Sequence, residues 1–463
     1  MKRPATTWSV DADGHVREGG EPARVVGDIR APSLSRPIGW LEPFAADARD
    51  LLRVAMAVFQ VDRLAPRRVS GIRTVDSQLG WQREIRIQIE LEAPDRWKDI
   101  SERLEELLWF LTDDAWTVTF KTTRRRSWHQ QAMFSEAVPS GAELALFSGG
   151  LDSMAGLWAR HKLASGGVFV AVSACGNSVR RGVQKKSIEL LSELGADVRP
   201  VVLQHYLAGG SKVENTQRTR GILFYCVGAA VASTVRLPSV STYESGPGAI
   251  NLPLNDSQVG AQNTRANHPG SLRRLEDLFS RVLDFAPELR IPFAFHTKGA
   301  VCRKAGQELV AIAKCAISCD EGERGKKDTY EHCGLCTSCV LRRAAIYAAI
   351  GSADPTPYSR HATAKHGGYD LAAFHQQALR LKDHGGRWPD LLAIDPTLRH
   401  VETYHSRKGL AVEDCRRKLC TLFAQQSEEL LNFYDACHPI ALARRTGTRN
   451  SQGGSRDLFP ATR

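Results

Sequence analysis

Along "REIRIQIEL" the apolar residues Ile85, Ile87, Ile89 and Leu91 take every second position. A period of two predicts a half-buried strand, and "AWTVTFKTT" repeats it. "DARDLLRVAMAVFQVDRL", from Asp47 to Leu64, and "DRWKDISERLEELLWFL" carry apolar residues at helical spacing, which predicts amphipathic helices. Residues 1–40 are polar and rich in Pro and Gly, and "GDIRAPSLSRPIG" predicts loop. Residues 1–137 are therefore expected to form a separate α+β domain, in which no motif carries chemistry.

"AVPSGAE" predicts a hinge, and after it the pattern changes. Short apolar runs ("LALF", "VFVAVSA", "VRPVVL", "SVSTY", "RIPFAF") alternate with helical segments. Those segments are "LDSMAGLWARHKLA", "SVRRGVQKKSIELLSELG" closed by Gly195, "RTRGILFYCVGAAVAS", "SLRRLEDLFSRVLDF" and "KGAVCRKAGQELVAIAKC". Strand–helix alternation of this kind predicts a parallel sheet covered by helices on both faces, over residues 138–354. Ligands of such sheets bind at the carboxyl ends of the strands, and "LALF" delivers Ser-Gly-Gly to that edge. Residues 355–445 are expected to be a helical region, with its best helix from Cys415 to Tyr434. The tail, 446–463, has a composition expected of disorder. No internal repeat is visible.

Composition changes this picture only slightly. At roughly 100–200 residues per domain, 463 residues suggest about two or three domains. Hydrophobic content of 42% and charged content of 24% are ordinary for a globular protein. No apolar run approaches the roughly 18 residues of a membrane span, and the start lacks a secretory signal, so a cytoplasmic protein without a membrane partner is expected. Lys and Arg total 62 against 51 Asp and Glu, a net charge of +11. That surplus suits polyanions from ATP to tRNA or DNA, but it is spread along the chain, so a nucleic-acid partner has no local support. The densest cluster, Arg124 to Arg126, is expected to be a solvated strand end.

Two clusters point to chemistry. In "LALFSGGLDS", Gly149 and Gly150 let the backbone approach a ligand, and the following helix offers free N–H groups and a positive dipole end. Ser148 and Ser153 add neutral donors. Asp152 would repel a phosphate unless it holds Mg²⁺ or a nearby donor. The plain alternative is a turn in which Asp152 and Ser153 cap the helix. The second cluster is Cys319, Cys333, Cys336 and Cys339, spaced C-x13-C-x2-C-x2-C. Four thiolates suit a closed, structural Zn²⁺ site; an iron–sulfur cluster is the competing ligand. The 11 cysteines, an odd count without a signal, argue against a disulfide framework. Cys302, Cys315, Cys415, Cys420 and Cys437 are expected to be ordinary thiols, and Cys175 follows a strand near the proposed site.

The string SGGLDS between strand and helix resembles the PP-loop of the ATP pyrophosphatase group, marked by SGGxDS, and the chain lacks a Walker loop. The resemblance implies an adenine nucleotide alpha hydrolase-like fold with a zinc-binding insertion. It implies that Ser148, Gly149, Gly150, Leu151, Asp152 and Ser153 grip the pyrophosphate end of ATP beside Mg²⁺. Together with the cysteine motif running into "LRRAA", residues 143–350 resemble 7-cyano-7-deazaguanine synthase, QueC. "RTRGILF" then places Arg220, "CGNSVRRGVQKKSIELLSELGAD" places Gly176 and "IPFAFHTKGAV" places Lys298 at family positions. Asp152, Lys298 and Arg220 are the implied catalytic residues and Gly176 an ATP-binding one. That family adenylates a carboxylated deazaguanine, forms an amide with ammonia, and dehydrates it to the nitrile with a second ATP.

Three departures stand out. The chain is far longer, it reads "ACGNSV" where the family has Asp-Tyr-Gly-Gln, and residues 244–273 lack an Asp-Cys-Arg signature. The long form resembles the QueC-like component of the Qat anti-phage system, which implies bacterial defence beside partner proteins docked by the added regions. The expected function is an ATP-dependent ligase that adenylates a carboxylated deazaguanine-like base and couples it to an amine, which a partner polypeptide could supply. A tRNA-modifying PP-loop enzyme and a non-catalytic nucleotide-binding subunit are the alternatives.

Overall fold

In a computed structural model, Ile85, Ile87, Ile89 and Leu91 are buried on one face of the strand Glu84–Leu91, and Arg86 and Gln88 are exposed on the other. The structure describes residues 5–19, 24–31, 38, 40–67, 82–123, 137–164, 167–176, 178–210, 214, 218–254, 264–320, 332–351, 354–358, 369–384 and 386–445. The expectations for Arg124 to Arg126, for the tail 446–463 and for the side chain of Cys437 lie outside the described residues.

Where loop was expected, the first forty residues contribute three strands: β1 (Thr6–Val10), β2 (His15–Glu18) and β3 (Arg24–Arg30). Pairing rather than local pattern holds them: β1 runs parallel to the strand Glu84–Leu91, with β2 and β3 added antiparallel. Helix α1 (Ala46–Leu64) precedes that strand, β4. The single amphipathic helix expected next is broken at Asp99–Ile100 into α2 (Asp95–Lys98) and α3 (Ser101–Thr112), and β5 (Ala115–Thr122) closes the sheet edge.

The alternating half of the chain then runs β6 (Glu143–Leu146), α4 (Leu151–Ala164), β7 (Val168–Cys175), α5 (Ser178–Glu193) and β8 (Asp197–Gln204). After the short β9 (Tyr206–Ala208) come α6 (Arg220–Val235), β10 (Ser239–Thr242), α7 (Gly246–Ile250), α8 (Pro269–Val282) and β11 (Glu288–Arg290). "RIPFAF" is thus mostly turn, with only its first residue in a strand. The helix expected after it is interrupted by a 3-10 turn at Gly306–Glu308, giving α9 (Lys298–Ala305) and α10 (Leu309–Cys315). The C-terminal part is helical: α11 (Thr337–Ile350), α12 (Tyr369–His384), α13 (Trp388–Ile394), α14 (Leu398–Arg407) and α15 (Val412–Arg445).

The second sheet has the order β11-β10-β6-β7-β8 and every pair in it is parallel. Strand β7 and the middles of β6 and β10 are buried on both faces, while the edge strands β8 and β11 carry exposed residues. Leu144 and Val170 look toward α6 and α8, while Ala145 and Phe169 look toward α4, α5 and α9. The fold is therefore mixed α/β with parallel strands flanked by helices. From β6 the chain winds outward through β7 and β8, then crosses back to β10 on the other side of β6. That reversal makes the β6–β10 gap the crevice where ligands of open α/β sheets bind.

The boundary expected at residue 137 separates two sheets but not two cores. One apolar cluster runs from Trp8, Leu51 and Ile87 through Leu223 and Ala230 of α6 to Leu144 and Leu275. Helix α6 is rich in small residues because it lies close on the sheet; a Cβ on Gly228 would come within 2.7 Å of Leu146 and 2.9 Å of Val240. Strand β9 also joins the first sheet, pairing antiparallel with β3, so a segment from the second half completes the sheet of the first. Among the described residues, no helix is long and apolar enough to cross a membrane.

Candidate functional site

At the end of β6 the chain turns through Ser148, Gly149 and Gly150 into α4. Gly149 has φ +78°, a left-handed conformation that costs glycine little. Its missing side chain also makes room for α5, since a Cβ would sit 3.2 Å from Val183. Ser148 Oγ accepts from the Gly150 N–H at 3.2 Å and lies 3.3 Å from Ser153 Oγ, which donates to Gly150 O at 2.9 Å. The loop is braced from outside by the chain after α10. Ile317 N donates to Gly149 O at 3.0 Å, and Ser318 Oγ accepts from Leu151 N at 3.2 Å.

Asp152 points from the first turn of α4 into the β6–β10 crevice. Lys298, the first residue of α9, meets it there, Nζ to Oδ2 at 2.5 Å, with both side chains about 15% exposed (15% and 16%). The other oxygen, Asp152 Oδ1, is buried and takes no hydrogen bond from an N–H or a hydroxyl group. Glu244, two residues past β10, completes the cluster. Burial and the neighbouring Asp152 carboxylate push its carboxyl up to about 8, against the pull of Lys298, so it holds a proton at neutral pH. Asn267 Nδ2 donates to Glu244 Oε2 at 3.3 Å and itself accepts from the Tyr225 hydroxyl at 3.0 Å. Burial lowers the tendency of Lys298 to stay charged, but the Asp152 carboxylate outweighs it and holds the ammonium above its ordinary range. Cys302, one turn along α9, is buried in the same place and its thiol is pushed up to about 12, so it is an inert thiol at neutral pH.

Chemically, the crevice offers an ammonium, a carboxylate with one unused oxygen and a neutral carboxyl. Beside them lies a helix N-terminus, whose first-turn amides lack intrahelical acceptors. An anion suits the helix end and the ammonium. A hard cation such as Mg²⁺ suits the unused Asp152 oxygen.

The other two residues expected at the site lie farther along the same strand edge. Gly176 is exposed just after β7, its Cα–Cβ direction facing His205 O. Arg220 opens α6 with its guanidinium over the Phe224 ring, 5.1 Å from the centroid. Both flank His205, whose imidazole is driven down to about 4 by burial and by the charges of Arg63 and Arg220. The structure thus joins Asp152 to Lys298 and gathers Gly176 and Arg220 around His205. Cys175 is buried at the end of β7, directly before Gly176, and burial raises its thiol.

The four motif cysteines converge. Their sulfurs all lie within 4.8 Å of one another, with Cys319 to Cys336 at 4.0 Å and Cys333 to Cys339 at 3.9 Å. A tetrahedron of thiolates about 2.3 Å from zinc has edges of about 3.8 Å, so the cluster is compatible with a structural zinc. It sits at the N-terminus of α11 and reaches the glycine loop through Ile317 and Ser318, which precede Cys319. The backbone N–H of Ser318 donates to His332 Nε2 at 3.3 Å. The fully buried Arg342 of α11 donates to Ala316 O at 3.0 Å and Thr356 Oγ1 at 3.0 Å, and also to Ala313 O, clamping the segment between cluster and loop.

No family model matches the chain, and no curated protein matches it. The residues that sequence reasoning passed over are Glu244, Asn267, Ser318 and Arg342. Glu244 had a signal, because it is an acid directly after the strand-like "SVSTY" in a parallel sheet, where strand ends carry function. Ser318 and Asn267 had none, since ordinary polar residues in loops acquire meaning only from their neighbours.

Proposed function

We propose that the chain is a PP-loop, QueC-like ATP-dependent ligase that forms an acyl-adenylate on a carboxylated 7-deazaguanine-like base and passes the acyl group to an amine. The observation that supports it most is the Asp152–Lys298 pair, set beside the Ser148–Ser153 loop in the crevice where the strand order reverses. A carboxylate is a poor electrophile, and adenylation gives it AMP as a leaving group. The negative charge then builds up on departing pyrophosphate. Lys298 and the first-turn amides of α4 offset that charge. Asp152 Oδ1 would hold Mg²⁺, which when bound neutralises the phosphates. Glu244, protonated at neutral pH, donates to the Asp152 carboxylate and holds it in place beside Lys298. The cysteine cluster would carry a structural Zn²⁺ and take no part in the reaction.

Under this reading the acceptor amine belongs to a partner polypeptide, and the setting is bacterial anti-phage defence. Both follow from the resemblance of the long chain to the QueC-like component of the Qat system. The test is ATP–pyrophosphate exchange by the purified chain, with and without 7-carboxy-7-deazaguanine, alongside Asp152→Ala. Base-dependent exchange that the substitution abolishes is the expected result. ATP binding without exchange, with the base and partner proteins present, would instead mark a nucleotide-binding subunit.

A further inference from the structure

Lys298 lies between two residues held from another part of the chain. Thr297, fully buried, caps α9 by accepting from Ala300 N at 3.0 Å. Its single proton goes elsewhere, to Glu429 Oε1 of α15 at 2.8 Å. On the other side, a Cβ at Gly299 would lie 2.7 Å from both oxygens of the same carboxylate, so only glycine lets Glu429 come down on the first turn of α9. A carboxylate there also faces the positive end of the helix. Glu429 is 12% exposed, and Arg303 of α9 secures its Oε1 at 2.9 Å while bonding to Ala348 O of α11 at 2.8 Å. One largely covered carboxylate therefore grips the residues immediately before and after Lys298, and a third a turn and a half further on.

We propose that Glu429 is a positioning residue for Lys298: through Thr297 and Gly299, the C-terminal helix α15 sets the ammonium against Asp152. The C-terminal region is thus part of the site's framework, and any displacement of α15 moves Lys298. The consequence for ATP rests on the function proposed above; the effect on Lys298 itself does not.

Competitive labelling with acetic anhydride, read by mass spectrometry on the full chain, tests this. The reference is Lys185, which is 76% exposed. In the native protein Lys298 is protected, because it is paired, nearly buried and held protonated. Glu429→Ala is expected to raise the relative labelling of Lys298 roughly tenfold, the equivalent of about one pKa unit of lost pairing. Glu429→Gln keeps an acceptor for Thr297 but loses the charge, and should give roughly a two- to threefold rise. Thr297→Val should behave like Glu429→Ala, and Thr297→Ser, which restores the hydroxyl, should look native. Glu428→Gln, the neighbouring acid, is the unchanged control. Native protection of Lys298 in a folded Glu429→Ala protein overturns the proposal. If that variant does not fold, equal labelling in Thr297→Val and Thr297→Ser overturns it. ATP affinity measured on the same proteins separates the two readings. An exposed Lys298 with undiminished ATP binding leaves the positioning standing and removes Lys298 from ATP recognition.

Discussion

The cysteine cluster and the Asp152–Glu244–Lys298 cluster lie on either side of Ser318, yet they were built in opposite ways. Three of the four cysteines fall within seven residues, and the local turn into α11 already brings them together. The charged cluster takes one residue from the segment that follows each of three strands, β6, β10 and β11, and its members are 54 to 146 positions apart (298 − 244 and 298 − 152). A local cluster is stabilised by whatever ligand it binds. A distributed one is stabilised by the sheet that assembles it, and it perturbs its own members, which is why Glu244 holds its proton.

The largest effect should come from the local cluster. Replacing Cys339, which is fully buried, with Ser should release the metal, counted by elemental analysis as one zinc per native chain. It should also cost the chain its cooperative melting, since structural zinc contributes on the order of 10 kcal/mol in small zinc-dependent folds. Retention of both would break the comparison from that side.

Lys298→Ala should come next. Removing the cation leaves Asp152 and Glu244 facing each other, and breaking a buried pair costs about 3–5 kcal/mol. The loss, followed by denaturant melts at pH 7, should shrink when Asp152→Asn is added, because the two residues act as one unit. Additive losses would mean the cluster is no cluster.

A smaller effect concerns pH. Glu244 is raised from an ordinary value of 4.5 to about 8 in the folded protein, so between those values the folded state holds a proton the unfolded state has released. Stability contributed by the site therefore falls as pH rises through that window, and the penalty is complete above it. Glu244→Gln should flatten this part of the stability–pH profile while leaving the profile outside the window unchanged.

The smallest effect tests the bridge. Ser318→Ala removes the acceptor for Leu151 N, worth about 1 kcal/mol. Hydrogen exchange at the Leu151 amide should quicken in this variant, and in zinc-stripped native protein by a similar factor. If only one of the two perturbations quickens it, the cysteine cluster and the loop are independent.

Period and spacing made much of this molecule legible. Ile85 to Leu91 announced a strand, the strand–helix alternation announced a parallel sheet, and C-x2-C-x2-C announced a thiolate cluster, because each pattern spans a few residues and reflects one local geometry. Errors fell where pairing overrides pattern. Strands β1 to β3 lie in a polar, Pro- and Gly-rich stretch and are held by successive pairing, β1 on β4, β2 on β1 and β3 on β2. "RIPFAF" looked like a strand throughout, although its apolar side chains are buried around a turn. The helix expected after it breaks at Gly306, where φ is +71°.

By itself the amino-acid sequence determined that a Ser-Gly-Gly-Leu-Asp-Ser turn would follow a buried strand and that four thiols would meet. Both are written in contiguous residues. Only the tertiary structure decided that Asp152 would face Lys298 and a protonated Glu244, that β9 would cross to the other sheet, and that Glu429 would reach the start of α9. These depend on the order in which strands lie side by side, and strand order is set by the packing of the whole chain.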